Sequence, residues 1–544
     1  MKKKTLVRFL TFAYIAVLLF GVLSVGVGAT SSYETFTYSA HGERKPSPNA
    51  YEVQSDGLIT AEKMKLDLYK TAYLEKLAHH RAGTEDNLTE DDIENIRLDR
   101  RYEKEDAYGN KIYKYGVHWT GTITALNNPQ AVRADKNGRL YIADTDNNRI
   151  IILKNDYTFL NAIDYFESSV ADYDTLKGPK GVFVNDDYVY VSDTGNKRIV
   201  IFNKSDLSFY KIISKPDSAL VEDGQWQPAA CAVDQYGRVF VVSETAVSGI
   251  IVLADDDGFF NGYIGGQPVV ANLWQRFWRR FQSEEEQASN IKAVPTTYNN
   301  ITIDDDGFIY ITNDKIDEDK QFASIHSKNA DFSPIKKLNS AGNHILKRNG
   351  FFNCVGETGL DGMSTVETNR KPSKLSDVAV GPEGSWSIAD INRGRVYTYN
   401  SNGELLFAFG DGGSGSGNTG KLGSLTQLQS LTYQLAPNQS EDATLPAYNL
   451  ILLDRSTNLL TVFTRTSYGN LLIEALAQEN RREFQTAQEY WMKILEKNSN
   501  FDSAYIGVGK ALFRQGKYEE AQEYFKACYE REYYSKSYAE LRKG

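Results

Sequence analysis

Six related stretches between Asn127 and Phe463, a composition rich in Tyr and Gly, and a switch to helical periodicity after Phe463 predict a mainly β chain. The expected architecture is a six-bladed β-propeller followed by an α-helical segment. Among 544 residues there are 34 Tyr, 26 Phe and 42 Gly but only 4 Met, a balance that favours strands and turns over helical bundles. The formal net charge is −10, from 61 basic and 71 acidic residues, so no surface for neutralising nucleic-acid phosphates is expected.

The chain opens MKKKTLVRFLTFAYIAVLLFGVLSVGVGATSS, with Lys2, Lys3, Lys4 and Arg8 ahead of an apolar run from Phe9 to Val27. Residues 1–29 read as a secretory signal with cleavage near Val27-Gly28-Ala29. The run is also long enough to span a bilayer, which leaves an uncleaved membrane anchor open. Either way the rest of the chain is expected outside the cytoplasm, extracellular or at the cell envelope. Residues 30–126 form an N-terminal extension whose stretch from Thr60 to about Glu105 has a helical spacing of Leu66, Tyr69, Tyr73 and Leu77. Cys231, Cys354 and Cys528 are scattered and suggest neither a disulfide framework nor a zinc cluster.

Residues 127–466 carry the repeat. NNPQAVRADKNGRLYIADTDNNRIIIL (Asn127 to Leu153) is followed by GPKGVFVNDDYVYVSDTGNKRIVIF (Gly178 to Phe202) and QPAACAVDQYGRVFVVSETAVSGIIVL (Gln227 to Leu253). YNNITIDDDGFIYITND from Tyr298 and LSDVAVGPEGSWSIADINRGRVYTY from Leu375 continue the series, with a weak sixth copy in LQSLTY and YNLILLDRSTNLLTVF. Equivalent positions Asp135, Asn185, Asp234, Asp304 and Gly381 are 50, 49, 70 and 77 residues apart. Each copy alternates apolar runs with Asp, Asn and Gly turns, as a four-stranded blade does. Fourth strands are expected at Phe159, Ser208, Phe259 and Glu404. The sixth copy runs straight into helix, so its fourth strand must come from ahead of the first, near Ala50–Val53 or Ile112–Trp119.

The pattern P-x-G/A-V-x-V-D, G-x-[LVI]-Y-[IV]-[AS]-D-[TI]-x-N-x-R-[IV] resembles the NHL-repeat propeller family. It is clearest at Asp144/Asn148/Arg149, Asp193/Asn196/Arg198 and Asp390/Asn392/Arg395, while Ser243-Glu244 and Asn313-Asp314 depart from it. Residues 467–544 turn helical, and AYIGVGKALFRQGKYEEAQEYFKACYE (Ala504 to Glu530) resembles a tetratricopeptide repeat in Tyr505, Gly509, the Gly516-Lys517-Tyr518 turn, Ala521 and Phe525. An earlier repeat would use Leu471 to Asn480 and Glu483 to Phe501. Chains of this double resemblance can continue into a membrane domain, and that possibility is open for this one.

The acids Asp144, Asp193, Asp390 and Asp454 recur once per blade, which suits turn formation better than catalysis. GSGNTGKL (Gly415 to Leu422) imitates a phosphate loop but puts Leu422 where a metal-binding hydroxyl belongs. DDDG at Asp255 and Asp304 is read as two hairpin turns. The resemblance implies zinc and calcium in the amidating-lyase members of the family. Yet His41, His79, His80, His118, His326 and His344 match no shared blade position, so no zinc site, catalytic residue or other cofactor is expected.

The insertion 270–287, VANLWQRFWRRFQSEEEQ, is the distinctive feature. At 100° per residue, Leu273, Trp274, Phe277, Trp278 and Phe281 share an arc of about 140°, opposite Arg276, Arg279 and Arg280. This basic amphipathic helix either covers the propeller or presents Trp and Arg to a partner. The overall expectation is a non-enzymatic scaffold that binds a protein, or a glycan, at the envelope, beside a membrane transport assembly. A calcium-dependent propeller hydrolase or lyase of lactonase type is the rival, and it requires acids or amides from different blades to converge on the channel.

Overall fold

The computed structural model describes residues 33–39, 43–66, 100–105, 111–115, 125–171, 174–246, 248–266, 297–317, 319–321, 333–346, 356, 373–410, 425, 427–437 and 445–543. Six antiparallel sheets form the blades of a propeller. Their first strands are Pro129–Ala134, Gly181–Val184, Pro228–Val233, Asn300–Ile303, Leu375–Val380 and Leu428–Leu435. Each first strand neighbours that of the next blade, and the last neighbours the first, so they ring a central channel.

Strands then follow outward in chain order, the fourth being Phe159–Ile163, Phe209–Ile213, Phe260–Ile264 and Leu405–Gly410 in blades one, two, three and five. Blade four shows three strands among the described residues. The period-2 alternation that makes these segments strands also splits their apolar side chains between two neighbouring blades. Six apolar clusters result, one at each blade interface; Ile142 and Leu153 of blade one meet Ile451 and Val462 of blade six, for example.

Tyr51–Ile59 is the fourth strand of blade six, pairing Ile59 with Leu460, Val53 with Phe463 and Tyr51 with Arg465. Of the two segments the sequence offered for this place, the first therefore fills it. Lys111–Tyr115 pairs instead with Arg100–Glu105 in a separate hairpin. That corrects the helical expectation at its C-terminal end: Arg100–Glu105 and Lys111–Tyr115 are strands, and the tyrosines of RRYEKE and KIYKY favour a pleated surface. Leu66 is buried after the one-turn helix Ala61–Met64, and Tyr69, Tyr73 and Leu77 lie outside the described residues. Glu34–Tyr38 and Arg44–Pro46 extend blade five to six strands, an addition no repeat announced.

Five helices follow: α1 (Ser467–Asn480), α2 (Phe484–Lys497), α3 (Asp502–Arg514), α4 (Tyr518–Ala527) and α5 (Arg531–Leu541), each packed on the next. Thr466 caps α1, its Oγ1 accepting from Gly469 N at 3.1 Å. Gly469 and Gly509 allow close approach, since a Cβ would stand 2.1 Å from Ala50 O and 2.5 Å from the Phe525 ring respectively. One apolar cluster runs from Phe407 and Phe463 of blades five and six through Leu472, Trp491 and Phe525, so the helices share the propeller's core. Lys510 to Glu404 (3.4 Å) and Asn480 Nδ2 to Glu383 O (3.1 Å) add polar ties to blade five. No helix among the described residues is long and apolar enough to cross a membrane.

Candidate functional site

The repeated acids are structural in their geometry. Asp144 Oδ1 accepts from Asn127 N at 2.6 Å, while Oδ2 accepts from Asn147 Nδ2 at 2.9 Å and Arg149 Nε at 2.7 Å. Asp193 repeats this with Lys177 N (2.7 Å), Asn196 (2.9 Å) and Arg198 (2.8 Å). Gln427 N donates to Asp454 Oδ2 at 2.9 Å and Lys374 N to Asp390 Oδ1 at 3.4 Å. In blade three the hydroxyl of Ser243 accepts from Gln227 N at 2.7 Å, so the departure from the pattern keeps the function without the charge. In each case the end of the second strand holds the chain entering the first. Burial pushes the Asp144 and Asp193 carboxyls up despite their arginines.

Three details differ from the motif as read. The amide bonded to Asp144 is Asn147, whereas Asn148 adopts a left-handed turn (φ 53°) and accepts from Gly178 N of blade two at 2.8 Å. In blade five Arg393 Nη1 lies 3.2 Å from Asp390 Oδ2. Arg395, in register with Arg149 and Arg198, reaches Glu34 at 3.8 Å and stands over the Phe36 ring, both in the added strand.

The acid turns Asp255–Gly258 and Asp304–Gly307 are the hairpin turns expected, closed by Gly258 N to Asp255 O (3.3 Å) and Gly307 N to Asp304 O (3.0 Å). His344 sits by Lys337 O in blade four, and the other histidines lie outside the described residues. So do Gly415 to Leu422, Cys354, the signal segment, and the insertion residues Leu273, Trp274, Arg276, Phe277, Trp278, Arg279, Arg280 and Phe281. Cys231 and Cys528 are free and buried, and burial pushes both thiols up to about 12.

What brings side chains from different blades together is the waist of the channel. Arg133 of blade one clamps Asp377 of blade five, Nη1 to Oδ2 at 2.8 Å and Nη2 to Oδ1 at 2.9 Å, a paired geometry suited to a guanidinium. Asn300 of blade four donates to Asp377 Oδ1 at 2.7 Å and accepts from Arg133 Nη2 at 3.2 Å. Ser430 Oγ of blade six donates to Asp377 Oδ2, which also takes Leu431 N at 3.0 Å, and Oδ1 takes Val378 N at 2.7 Å.

Each carboxylate oxygen thus accepts three hydrogen bonds in a fully buried position. An acid and an amide do converge, as the calcium reading required, but a guanidinium already supplies the positive charge. A calcium ion does not fit here, because its oxygen ligands would have to be stripped of Arg133 first. Among the described residues no three His, Cys, Asp or Glu side chains cluster as metal ligands.

The acid, amide and hydroxyl of the waist share one repeat position in the sequence. Asp377, Asn300 and Ser430 each stand four residues before Gly381, Asp304 and Gln434, at one repeat position. Blades one to three hold Ala131, Gly181 and Ala230 there. Small residues on one side of the channel leave room for polar ones on the other, and for the long side chain of Arg133 to cross.

Arg133 separates two openings. The hairpins between first and second strands border a cavity of about 590 Å³ reached by Asp304, Tyr433 and Ile473 of α1. On the opposite face, where second strands end and blade-to-blade connections enter, lies a cavity of about 820 Å³. The described chain breaks off at Gly266, after the fourth strand of blade three, and resumes at residue 297, before the first strand of blade four.

Comparison with known proteins gives a local family match and several distant structural likenesses. Residues 126–153 match the NHL repeat. No curated protein matches the chain. Among solved structures, a streptogramin B lyase is similar at 9% identity and TM-score 0.33 over 63% of this chain and 85% of that one. Kuenenia stuttgartiensis hydrazine synthase is similar at 11% identity and TM-score 0.36 over 63% and 96%, and a Bacteroides thetaiotaomicron protein of unknown function at 10% and 0.37 over 62% and 70%.

Proposed function

We propose that the chain is a non-enzymatic interaction scaffold outside the cytoplasm, at the cell envelope, that binds a protein partner, with a glycan as the alternative. The observation that carries this reading is the waist: the acid and amide that meet in the channel are neutralised and hydrogen-bonded by Arg133, Ser430 and backbone N–H groups, so Asp377 and Asn300 are not activated for chemistry. The basic start of residues 1–29, Lys2, Lys3, Lys4 and Arg8 ahead of an apolar run, supports export. The C-terminal helices are read as tetratricopeptide type, supported by Gly509 packed against Phe525 and by Ala521 in the shared core. Partner contact is assigned to Leu273 through Phe281, whose sequence joins aromatic anchors to arginines. A setting beside a membrane transport assembly rests on analogy with membrane-associated NHL proteins alone.

A second reading, a calcium-dependent hydrolase or lyase, draws on the meeting of Asp377 with Asn300. Cross-linking pull-down from native envelopes, comparing wild type with Trp274→Ala/Trp278→Ala, is expected to lose a partner band in the variant; an unchanged set removes the segment from the interface. Stoichiometric calcium that copurifies with the protein and raises its melting temperature would replace the scaffold reading with the second.

A further inference from the structure

The larger cavity differs from the rest of the molecule in charge. The protein carries a formal −10, yet the cavity is lined by Arg133, Lys180, Lys315, Lys374 and Arg455 against only Glu244 and Asp314. Arg133 is committed to Asp377, and Lys180 to Glu244 at 2.5 Å. Lys315, Lys374 and Arg455 are exposed at the rim, and among the described residues no salt bridge ties any of them. Three cations facing one opening, with low-dielectric walls below, attract an anion.

The wall also asks for donors. Asn299 spends its amide N–H groups on Leu375 O (3.1 Å) and Ser376 O (2.9 Å), leaving its Oδ1 without a donor, and Asp314 Oδ1 has none either. The charges of Lys374 and Lys315 favour the ionised form of Asp314 against its burial. Gln130, Gln427 and Gln429 add amides that both give and accept. Between these polar groups the apolar lining comes from Ala131, Val182, Ala229, Ile301 and Ile391. A volume of about 820 Å³ suits a small ligand.

We infer that this cavity binds a sugar acid, a carboxylate-bearing polyhydroxylated molecule whose carboxylate meets Lys374, Lys315 and Arg455 and whose hydroxyls bond the amides of Gln130, Gln427 and Gln429. Among the described residues the lining includes none from α1 to α5, so failure of this site would leave the protein-partner reading standing.

Titration calorimetry on the full chain with D-galacturonate, its linear trimer, D-glucose and triglutamate tests it. Galacturonate or its trimer is expected to bind at least tenfold tighter than glucose. Tighter binding of the trimer marks an acidic glycan as the source, and equal binding marks a free sugar acid; both support the site. Lys374→Ala/Arg455→Ala, exposed positions whose melting temperature should match wild type, is expected to weaken galacturonate at least tenfold, and Asp314→Asn to change it less. No heat with either uronate, equal affinity for glucose, tighter binding of triglutamate, or unchanged affinity in the double variant would overturn the inference.

Discussion

The waist and the larger cavity sit in the same channel, share Arg133, and treat their polar groups in opposite ways. At the waist every oxygen of Asp377 is filled from four blades, while in the cavity rim lysines lack ion pairs and two acceptors lack donors among the described residues. Saturation is what a buried charge needs in order to hold a ring together. Unsatisfied groups beside an opening are what a ligand needs in order to be held.

The strongest way to break this contrast is at the waist. Arg133→Met should lower the unfolding free energy by about 3 to 5 kcal/mol, measured by denaturant titration, because Asp377 is left charged, buried and unpaired. Arg133→Met/Asp377→Leu should recover much of that loss, and a double variant as unstable as the two losses summed would show that the pair does not act as a unit.

Next in size are the turn acids. Asp144→Ala strands the fully buried Arg149 and should cost about 3 kcal/mol or more, whereas Ser243→Ala removes a neutral version of the same bond and should cost about 1 kcal/mol. Equal losses would mean that the ion pair adds nothing to the hydrogen bond.

The smallest effect is expected in the cavity and has the opposite sign. Burial, against the pull of Lys374 and Lys315, raises the Asp314 carboxyl. A raised carboxyl binds its proton more tightly folded than unfolded, so its cost to stability is absent below the unfolded value of roughly 4 and fully present once pH exceeds the folded one. Asp314→Asn should therefore melt slightly higher than wild type at pH 7, with the difference fading as pH falls below about 4. A lower melting temperature at pH 7 would place Asp314 among the holding groups.

The sequence made the blades readable because each copy repeats the same turn chemistry, and the Asp144 and Asp193 turns could be assigned a structural role from repetition alone. Non-repeating features were harder. Glu34–Tyr38 extends blade five through pairing with Leu405–Gly410, a tertiary contact that a five-residue run cannot announce. The hairpin at 100–115 was hidden behind a helical spacing that belongs to residues ahead of it. The waist escaped because its meaning lies in a column across copies, Asp377 with Asn300 and Ser430 against Ala131, Gly181 and Ala230, where a motif read along the chain sees only isolated polar residues. The rim cations are likewise scattered in sequence, and only the arrangement of blades brings Lys315, Lys374 and Arg455 to one opening.

That closure also sets an order of events for the nascent chain. Thr464 Oγ1 meets Glu52 O across 412 residues, so the strand made first in the ring finds its neighbour only after every blade has been synthesised. Until then Tyr51–Ile59 and the third strand of blade six both present unpaired edges. Contacts of such sequence separation slow folding, and an interrupted chain is left with an open sheet edge at each end of the arc. The propeller is therefore vulnerable to premature termination in a way that an array of independently closed domains would not be.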